Sequence, residues 1–288
     1  LTATVIVLLG TLFPLIADAL ELGKFSVGPP YFNLLFVPLT LLLLVFLAVG
    51  PATNWKKQSA EVILLPLRKV LLAAVVIAIG VPWAFFGNWP WHVGVTVGLC
   101  AWVLGGQLVD IARKTQHAAT RVQGLKKLTR SYWGMQFAHL GLLVTALGIA
   151  FTTAYSIEKD VRLAPGESIT VNDYVFRFDG VEDHQGPNYV AQRGTLLVSH
   201  DGFSETLHPE KRIYRVQQNP MTEAAISGNS FRDLYVALGE PLDAGAWAVR
   251  IYHKPMIRWV WFGAVLMAFG AVLAMLDKRY RLKATGGR

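Results

Sequence analysis

The sequence predicts a membrane α-helical protein of about six transmembrane helices, with one antiparallel β module, a sandwich or small barrel, between helices 5 and 6. Three observations carry that prediction. Six apolar stretches each approach the roughly 20 residues a helix needs to cross the hydrocarbon core. Roughly a hundred polar residues between the fifth and sixth carry the two-residue period of strands. Basic residues gather on alternate links, as they do where links alternate across a bilayer.

The stretches run near 1–17, 33–50, 68–86, 91–112, 133–154 and 257–276. Hydrophobic residues make up 53% of the chain and charged residues 16%, against about 25% charged in an ordinary soluble domain. The apolar surplus exceeds what one core would use and is expected to face lipid. Three segments follow: a membrane domain of five helices over 1–154, a β-rich domain over 155–256, and a last helix with a basic tail over 257–288. Residue 1 is Leu inside an apolar run, without initiator Met, basic n-region or small-residue cleavage site. This reads as a truncation or fragment rather than a signal peptide.

The net charge of +8 does not point to nucleic acid, because residues 155–256 hold ten Lys or Arg against fourteen Asp or Glu. The positive excess lies in the membrane part. Lys56, Lys57, Arg68 and Lys69 follow the second stretch; Arg113, Lys114, Arg121, Lys126, Lys127 and Arg130 follow the fourth; Lys278, Arg279, Arg281, Lys283 and Arg288 form the tail. The positive-inside rule makes these segments cytoplasmic. Alternation then puts the β module, and the link holding Lys24, on the other side. Trp83, Trp89, Trp91, Trp247, Trp259 and Trp261 all fall near that outer face, as an interfacial belt would.

Within the module, Ile169, Val171, Tyr174, Phe176 and Phe178 read as one half-buried strand, followed by runs at 189–198, 212–216, 231–238 and 247–252. Asp179-Gly180, Gln185-Gly186-Pro187-Asn188 and Asp201-Gly202 read as turns. The single cysteine, Cys100, lies in the fourth stretch and leaves the module to be held by packing alone. No glycine-rich phosphate loop, Cys-x-x-Cys pair or His-Glu-x-x-His helix occurs, so the module reads as a binding or docking surface.

His139 is the residue that invites chemistry. It sits about six residues inside the fifth stretch, about 9 Å deep at 1.5 Å per residue, and an ionisable group at such depth is a functional hypothesis by default. Gly134, Ala138, Gly141, Thr145 and Gly148 form a small-residue seam in the same stretch, which admits another helix or a flat ligand. Residue chemistry alone leaves two readings open: a ligand, or an imidazole bonded across helices. Met135, one turn earlier, reads as pocket lining or packing. His184, His200 and His208 read as solvated surface, since their spacing converges on no metal. His92 and His253 read either as residues near an outer ligand site or as interfacial anchors, the latter being the commoner use of interfacial polar residues. Asp110 reads as a local ion pair with Arg113.

Several runs then point to one family. They are Gly28-Pro29-Pro30-Tyr31-Phe32-Asn33, the segment Trp133 to Gly148, Ala154 to Arg162, Met221-Thr222-Glu223-Ala224-Ala225-Ile226, Arg232 to Glu240, and Gly245-Ala246-Trp247-Ala248-Val249-Arg250. Together, and in this order, they resemble the C-terminal part of the CcmF family, the haem-lyase component of bacterial cytochrome c maturation. The resemblance implies the inner (cytoplasmic) membrane, a periplasmic β module and a cytoplasmic C-terminus. Through Ala138-His139-Leu140-Gly141 it implies that His139 is one axial ligand to the iron of a resident haem b. The family's periplasmic tryptophan-rich signature, its flanking histidines and the second axial ligand have no counterpart in these residues. The chain is thus expected to be inactive as an enzyme by itself and to work with a missing N-terminal portion, either as a fragment or as one product of a split gene. The further partners implied are a membrane-anchored haem chaperone, apocytochrome c, other maturation subunits including a thiol-handling one, and quinol as a source of electrons; no nucleic acid is implied. The family is thought to take incoming haem as substrate, reduce its iron by way of the b-haem, and let the two apocytochrome thiols add to the vinyl groups.

Two rival classes fit the bare residues. A transporter or permease subunit would show inverted repeats or broken helices with facing charges, and the sequence contains neither an internal repeat nor a central acid–base pair. A membrane scaffold docking periplasmic partners would use His139 only structurally, and an absorption spectrum without a Soret band would mark either rival.

Overall fold

The computed structural model describes residues 1–53, 59–87, 90–216 and 218–277. Lys56, Lys57, Trp89 and the tail basic residues Lys278, Arg279, Arg281, Lys283 and Arg288 lie outside the described residues. The helices are α1 (Thr2–Ala19), α2 (Pro29–Val49), α3 (Ala60–Phe86), α4 (Trp91–Thr115), the short α5 (Arg121–Lys127), α6 (Arg130–Tyr155) and α7 (Ile257–Met275). All but α5 are long and apolar enough to cross a membrane, which gives six among the described residues. Between α6 and α7 come the strands β1 (Ile157–Leu163), β2 (Ser168–Val171), β3 (Tyr174–Gln185), β4 (Tyr189–His200), β5 (Phe203–Leu207), β6 (Glu210–Tyr214), β7 (Pro220–Glu223), β8 (Ala225–Gly228), β9 (Arg232–Pro241) and β10 (Trp247–Pro255). The chain divides into two compact units, Leu1–Leu143 with the chain from Met267 onward, and Val144–Leu266.

In the helical unit the apolar runs do two jobs. Leu34, Leu72 and Val76 stand 75%, 68% and 70% exposed, so side chains that water would penalise form the outer surface, as lipid-facing helices require. The inner faces use small residues: an added Cβ at Gly106 would meet Ala48 Cβ at 3.0 Å, and one at Gly98 would meet Ala78 Cβ at 2.7 Å. Helix α4 thereby packs closely on α2 and α3, and Trp102 Nε1 donates to the Val45 carbonyl at 3.1 Å. Local signals match the ends. Pro29-Pro30 open α2, where a missing N–H costs nothing, and Gly87, at φ 64, ends α3 in the left-handed cap.

In the second unit the strands form two antiparallel sheets, β1-β10-β9-β8 and β2-β3-β4-β6-β7, with β5 paired to β4. Phe176, Phe178, Leu196, Val198, Leu234, Val236, Val249 and Ile251 are buried between them. Alternation along β10 sends Trp247, Val249 and Ile251 inward and Arg250 outward. Trp247 is 7% exposed and belongs to this core, not to the interfacial belt, whereas Trp83, Trp91 and Trp261 are 69%, 66% and 73% exposed.

Other sequence expectations shift for physical reasons. The run 169–178 is two strands: Val171 pairs Tyr174 across the two-residue turn Asn172-Asp173, with Asn172 at φ 53. Asp179-Gly180 makes no turn; the ladder shifts there and Gly180, at φ 126, takes the bulge position within β3. Strand β6 begins at Glu210 and ends at Tyr214, before Val216. Four strands, β1, β5, β7 and β8, went unanticipated because they are short or charge-rich. The passage from β10 into α7 turns at Met256, whose φ of 58 is left-handed and whose N–H donates to the Phe231 carbonyl at 2.7 Å. Thr152 Oγ1, near the end of α6, donates to the Pro255 carbonyl at 2.7 Å and ties the two crossings of the chain together.

Candidate functional site: a polar stripe between α4 and α6

Helix α6 presents two opposite faces. Its small residues meet α7: in the helical unit an added Cβ on Gly134 would lie 2.5 Å from the Gly270 carbonyl oxygen, and in the second unit one on Gly148 would lie 2.8 Å from the Val260 nitrogen. Thr145 Oγ1 donates to the Val260 carbonyl at 3.3 Å. The seam is therefore filled by a helix rather than by a flat ligand.

His139 does not share that face. Five residues past Gly134 it is turned by about 140° at 100° per residue, toward the side that meets α4. There Tyr132 Oη donates to Asp110 at 2.7 Å, Gln107 Nε2 donates to the Gln136 carbonyl at 3.3 Å, and Cys100 Sγ lies 3.7 Å from the Leu143 carbonyl oxygen. This antiparallel register brings His139 level with Val103 and Leu104 of α4. The ring is half-buried, and its Nδ1 is enclosed without a hydrogen-bond partner among the described residues. No hydrogen bond from that nitrogen to a neighbouring helix holds the ring in the structure, so the imidazole is available to a ligand.

The neighbouring polar groups are tied together. Asp110 pairs with Lys114, at 2.8 and 2.9 Å, and not with Arg113, whose guanidinium reaches the Val62 carbonyl at 3.5 Å. Lys114 Nζ also lies over the Tyr132 ring, 4.5 Å from its centre. Gln136 Nε2 donates to Tyr132 Oη at 2.7 Å. Met135, Tyr132, Ser131, Lys114 and Lys127 line a cavity of about 380 Å³ at the start of α6. Sequence reasoning singled out Asp110 and His139 but missed Gln107, Tyr132 and Gln136; Tyr132 and Gln136, both within one or two helical turns of an intramembrane histidine, were the available signal, and Gln107, on another helix, offered none.

The remaining histidines scatter. His200 Nδ1 donates to the Asp173 carbonyl at 2.7 Å, His208 Nδ1 lies 3.4 Å from Thr195 Oγ1, and His184 stands 6.5 Å from the Tyr189 ring. His92 opens α4 beside Trp91. His253 is drawn into the sandwich, its ring 6.0 Å from that of Tyr174 and its Nδ1 enclosed without a partner among the described residues. Burial, helped by the nearby Arg232 charge and opposed by Asp173, holds its imidazole below the ordinary range. Arg232 itself is buried, its Nε donating to Tyr174 Oη at 3.0 Å and an Nη to the Ser227 carbonyl at 2.8 Å. No group of three or more His, Cys, Asp or Glu converges for a metal among the described residues.

On the outer face of β9 and β10, Tyr235 and Tyr252 meet edge-to-face at 5.3 Å beneath Lys254, and Ala237, Gly239 and Ala248 floor a concavity of about 560 Å³. Arg250 is held there by Asp160 at 2.5 and 2.8 Å, which keeps that carboxyl below its usual range.

Among the described residues, six long apolar helices with a β-sandwich between the last two in chain order define a polytopic membrane protein with one polar module. Residues 154–255 match the family model described as the CcmF C-terminal beta-sandwich. The chain is 49% identical, over 98% of its length, to the cytochrome c-type biogenesis protein CcmF of Pseudomonas aeruginosa and covers 43% of that protein. Against CcmF of Escherichia coli it is 41% identical over 98% of its length, again covering 43%. The cytochrome c-type biogenesis protein NrfE of Haemophilus influenzae is 30% identical over 96% of the chain, which covers 42% of it. A solved structure of cytochrome c heme lyase CcmF is similar in fold, with a TM-score of 0.76 over 95% of this chain and 43% of that one, at 21% identity. Over nearly its whole length the chain is thus similar to the C-terminal part of the CcmF cytochrome c-type biogenesis proteins, and it spans less than half the length of the curated relatives it matches.

Proposed function

We propose that this chain is the C-terminal portion of a haem-lyase component that helps attach haem covalently to apocytochrome c, and that His139 is an axial ligand to a resident haem b. The observation that carries the reading is the half-buried His139 ring on the polar side of an intramembrane helix, held there by no hydrogen bond to a neighbouring helix. When bound, a b-type haem supplies single electrons to the iron of the incoming haem, at a potential set by its axial ligands and pocket polarity. His139 would hold the iron, and the apolar Val103–Leu104 level of α4 beside it would exclude water. The second ligand to that haem would come from outside this chain. The protein lies in the bacterial inner membrane with the β-sandwich in the periplasm and the C-terminus in the cytoplasm. Its exposed sandwich faces dock the haem chaperone, apocytochrome c and a thiol-handling subunit, as binding surfaces on rigid β scaffolds commonly do.

Haem content of the purified protein tests the ligand assignment. With the N-terminal portion co-expressed, His139→Ala is expected to lose most of its b-haem while inserting normally. A full haem complement and normal cytochrome c yield in that variant would contradict the assignment.

A further inference from the structure

Each donor in the α4–α6 stripe has a direction, and the direction is set from one end. Asp110 carries a carboxylate, which only accepts, and it takes the hydroxyl proton of Tyr132 at 2.7 Å. With that proton committed, Tyr132 Oη can only accept from Gln136, whose Nε2 lies 2.7 Å away. The amide is therefore turned with its NH₂ toward Tyr132 and its Oε1 away. That Oε1 is buried and has no hydrogen-bond partner among the described residues, and the same is true of His139 Nδ1. Residues three apart on a helix are surface neighbours, with Cβ atoms about 5–6 Å apart. Helical side chains also lean toward the N-terminus, so the His139 ring inclines over the turn that carries Gln136.

An acceptor without a donor thus stands beside a ring nitrogen without a partner. We infer that Gln136, oriented by the Asp110–Tyr132 pair, is the positioning residue for His139: its Oε1 accepts the Nδ1–H, which fixes the ring's tautomer and leaves the Nε2 lone pair to ligate iron. No hydrogen bond joins the two atoms in the structure; with the Gln136 amide held by Tyr132, the inferred bond forms by rotation of the His139 ring about its soft terminal torsion. The function of that tautomer rests on the haem reading proposed above; the tautomer itself does not. Partners of this kind raise the basicity of a ligating imidazole, and their loss typically costs 10–100-fold in metal affinity.

The test has two arms. Haem-depleted protein, joined by its N-terminal portion in lipid nanodiscs and labelled with ¹⁵N-histidine, reports the His139 tautomer by NMR, the signal being assigned through its loss in His139→Ala. The parent is expected to hold one Nδ1–H form. Gln136→Leu is expected to give a mixture or the Nε2–H form, and Gln136→Glu, which keeps an acceptor oxygen, is expected to retain Nδ1–H. A parent in the Nε2–H form, or a Leu variant with the parental tautomer, overturns the inference. In the haem-loaded protein, Gln136→Leu is expected to retain haem about 10-fold or more less tightly, with a raised reduction potential, and Gln136→Glu to lower the potential. Retention and potential both unchanged in Gln136→Leu would overturn the positioning role. Full haem in His139→Ala would instead sink the haem reading while leaving the tautomer result standing.

Discussion

Glu210 is enclosed between two guanidinium groups, Arg193 and Arg212, each at 2.6 Å, with its side chain 5% exposed. Burial alone would raise its pKa, but the bonds from Arg212 and Arg193 outweigh that and hold the carboxyl below its usual range. Removing one partner of a buried pair costs about 3–5 kcal/mol, so Glu210→Leu should destabilise the sandwich by about 3 kcal/mol, read from denaturant unfolding of the β-sheet signal. His253 works in the same direction with pH. Its folded imidazole is depressed below the ordinary value of about 6.5, so the stability it contributes is present above that value and is lost as pH falls through the lower folded one. Glu210, depressed below about 4.5, adds a further loss in stronger acid. Hydrogen exchange in β9 and β10, corrected for intrinsic rates, should therefore show falling protection below about pH 6.5, and His253→Phe should remove that step. Of these residue-level features, the sequence displayed His139 and Asp110 as ionisable groups in apolar runs. Lys114 as the partner of Asp110, and Gln136 as that of Tyr132, are four-residue spacings within one helix that the sequence carried; the Tyr132–Asp110 bond that joins the two pairs depends on two helices meeting in antiparallel register, which no single-sequence spacing reports.

The helices were legible because length and hydropathy define them: the stretch expected over 91–112 is Trp91–Thr115, and that over 257–276 is Ile257–Met275. Strands were less so. The hairpin at Asn172-Asp173 is visible in retrospect, because Val171 and Tyr174 are three residues apart and break the two-residue period that a single strand must keep. The bulge at Gly180 looks like a turn in sequence, since Asp-Gly serves both, and only pairing with β4 distinguishes them. The small-residue seam was recognised, but its occupant is decided by α7. With Gly270 only 2.5 Å from the Gly134 oxygen at the position of an added Cβ, Gly270→Leu should push α6 from α7 and lower the thermal midpoint of the detergent-solubilised protein, whereas the exposed Val272→Leu should not. In the sandwich, Phe178→Ala leaves a cavity at a 0% exposed position and should cost about 3–5 kcal/mol. A photo-crosslinking residue at Ala237, on the floor of the outer concavity, should capture a maturation partner or apocytochrome; capture of lipid and the chain itself alone would argue against docking there.

For the whole molecule, the proposed topology makes the sandwich periplasmic, so an alkaline phosphatase fusion at Gly202 should be active and one at Gln123 inactive. The reverse pattern would invert the account. The claim on which the rest depends is that His139 touches iron, and ligand exchange tests it more directly than haem loss, which a misfolded pocket would also produce. His139→Met, expressed with the N-terminal portion and examined by near-infrared magnetic circular dichroism of the oxidised haem, should replace the bis-imidazole charge-transfer band with that of a His–Met pair, because axial-ligand identity sets the iron's electronic structure. An unchanged bis-imidazole band in His139→Met would show that the iron is held by other residues.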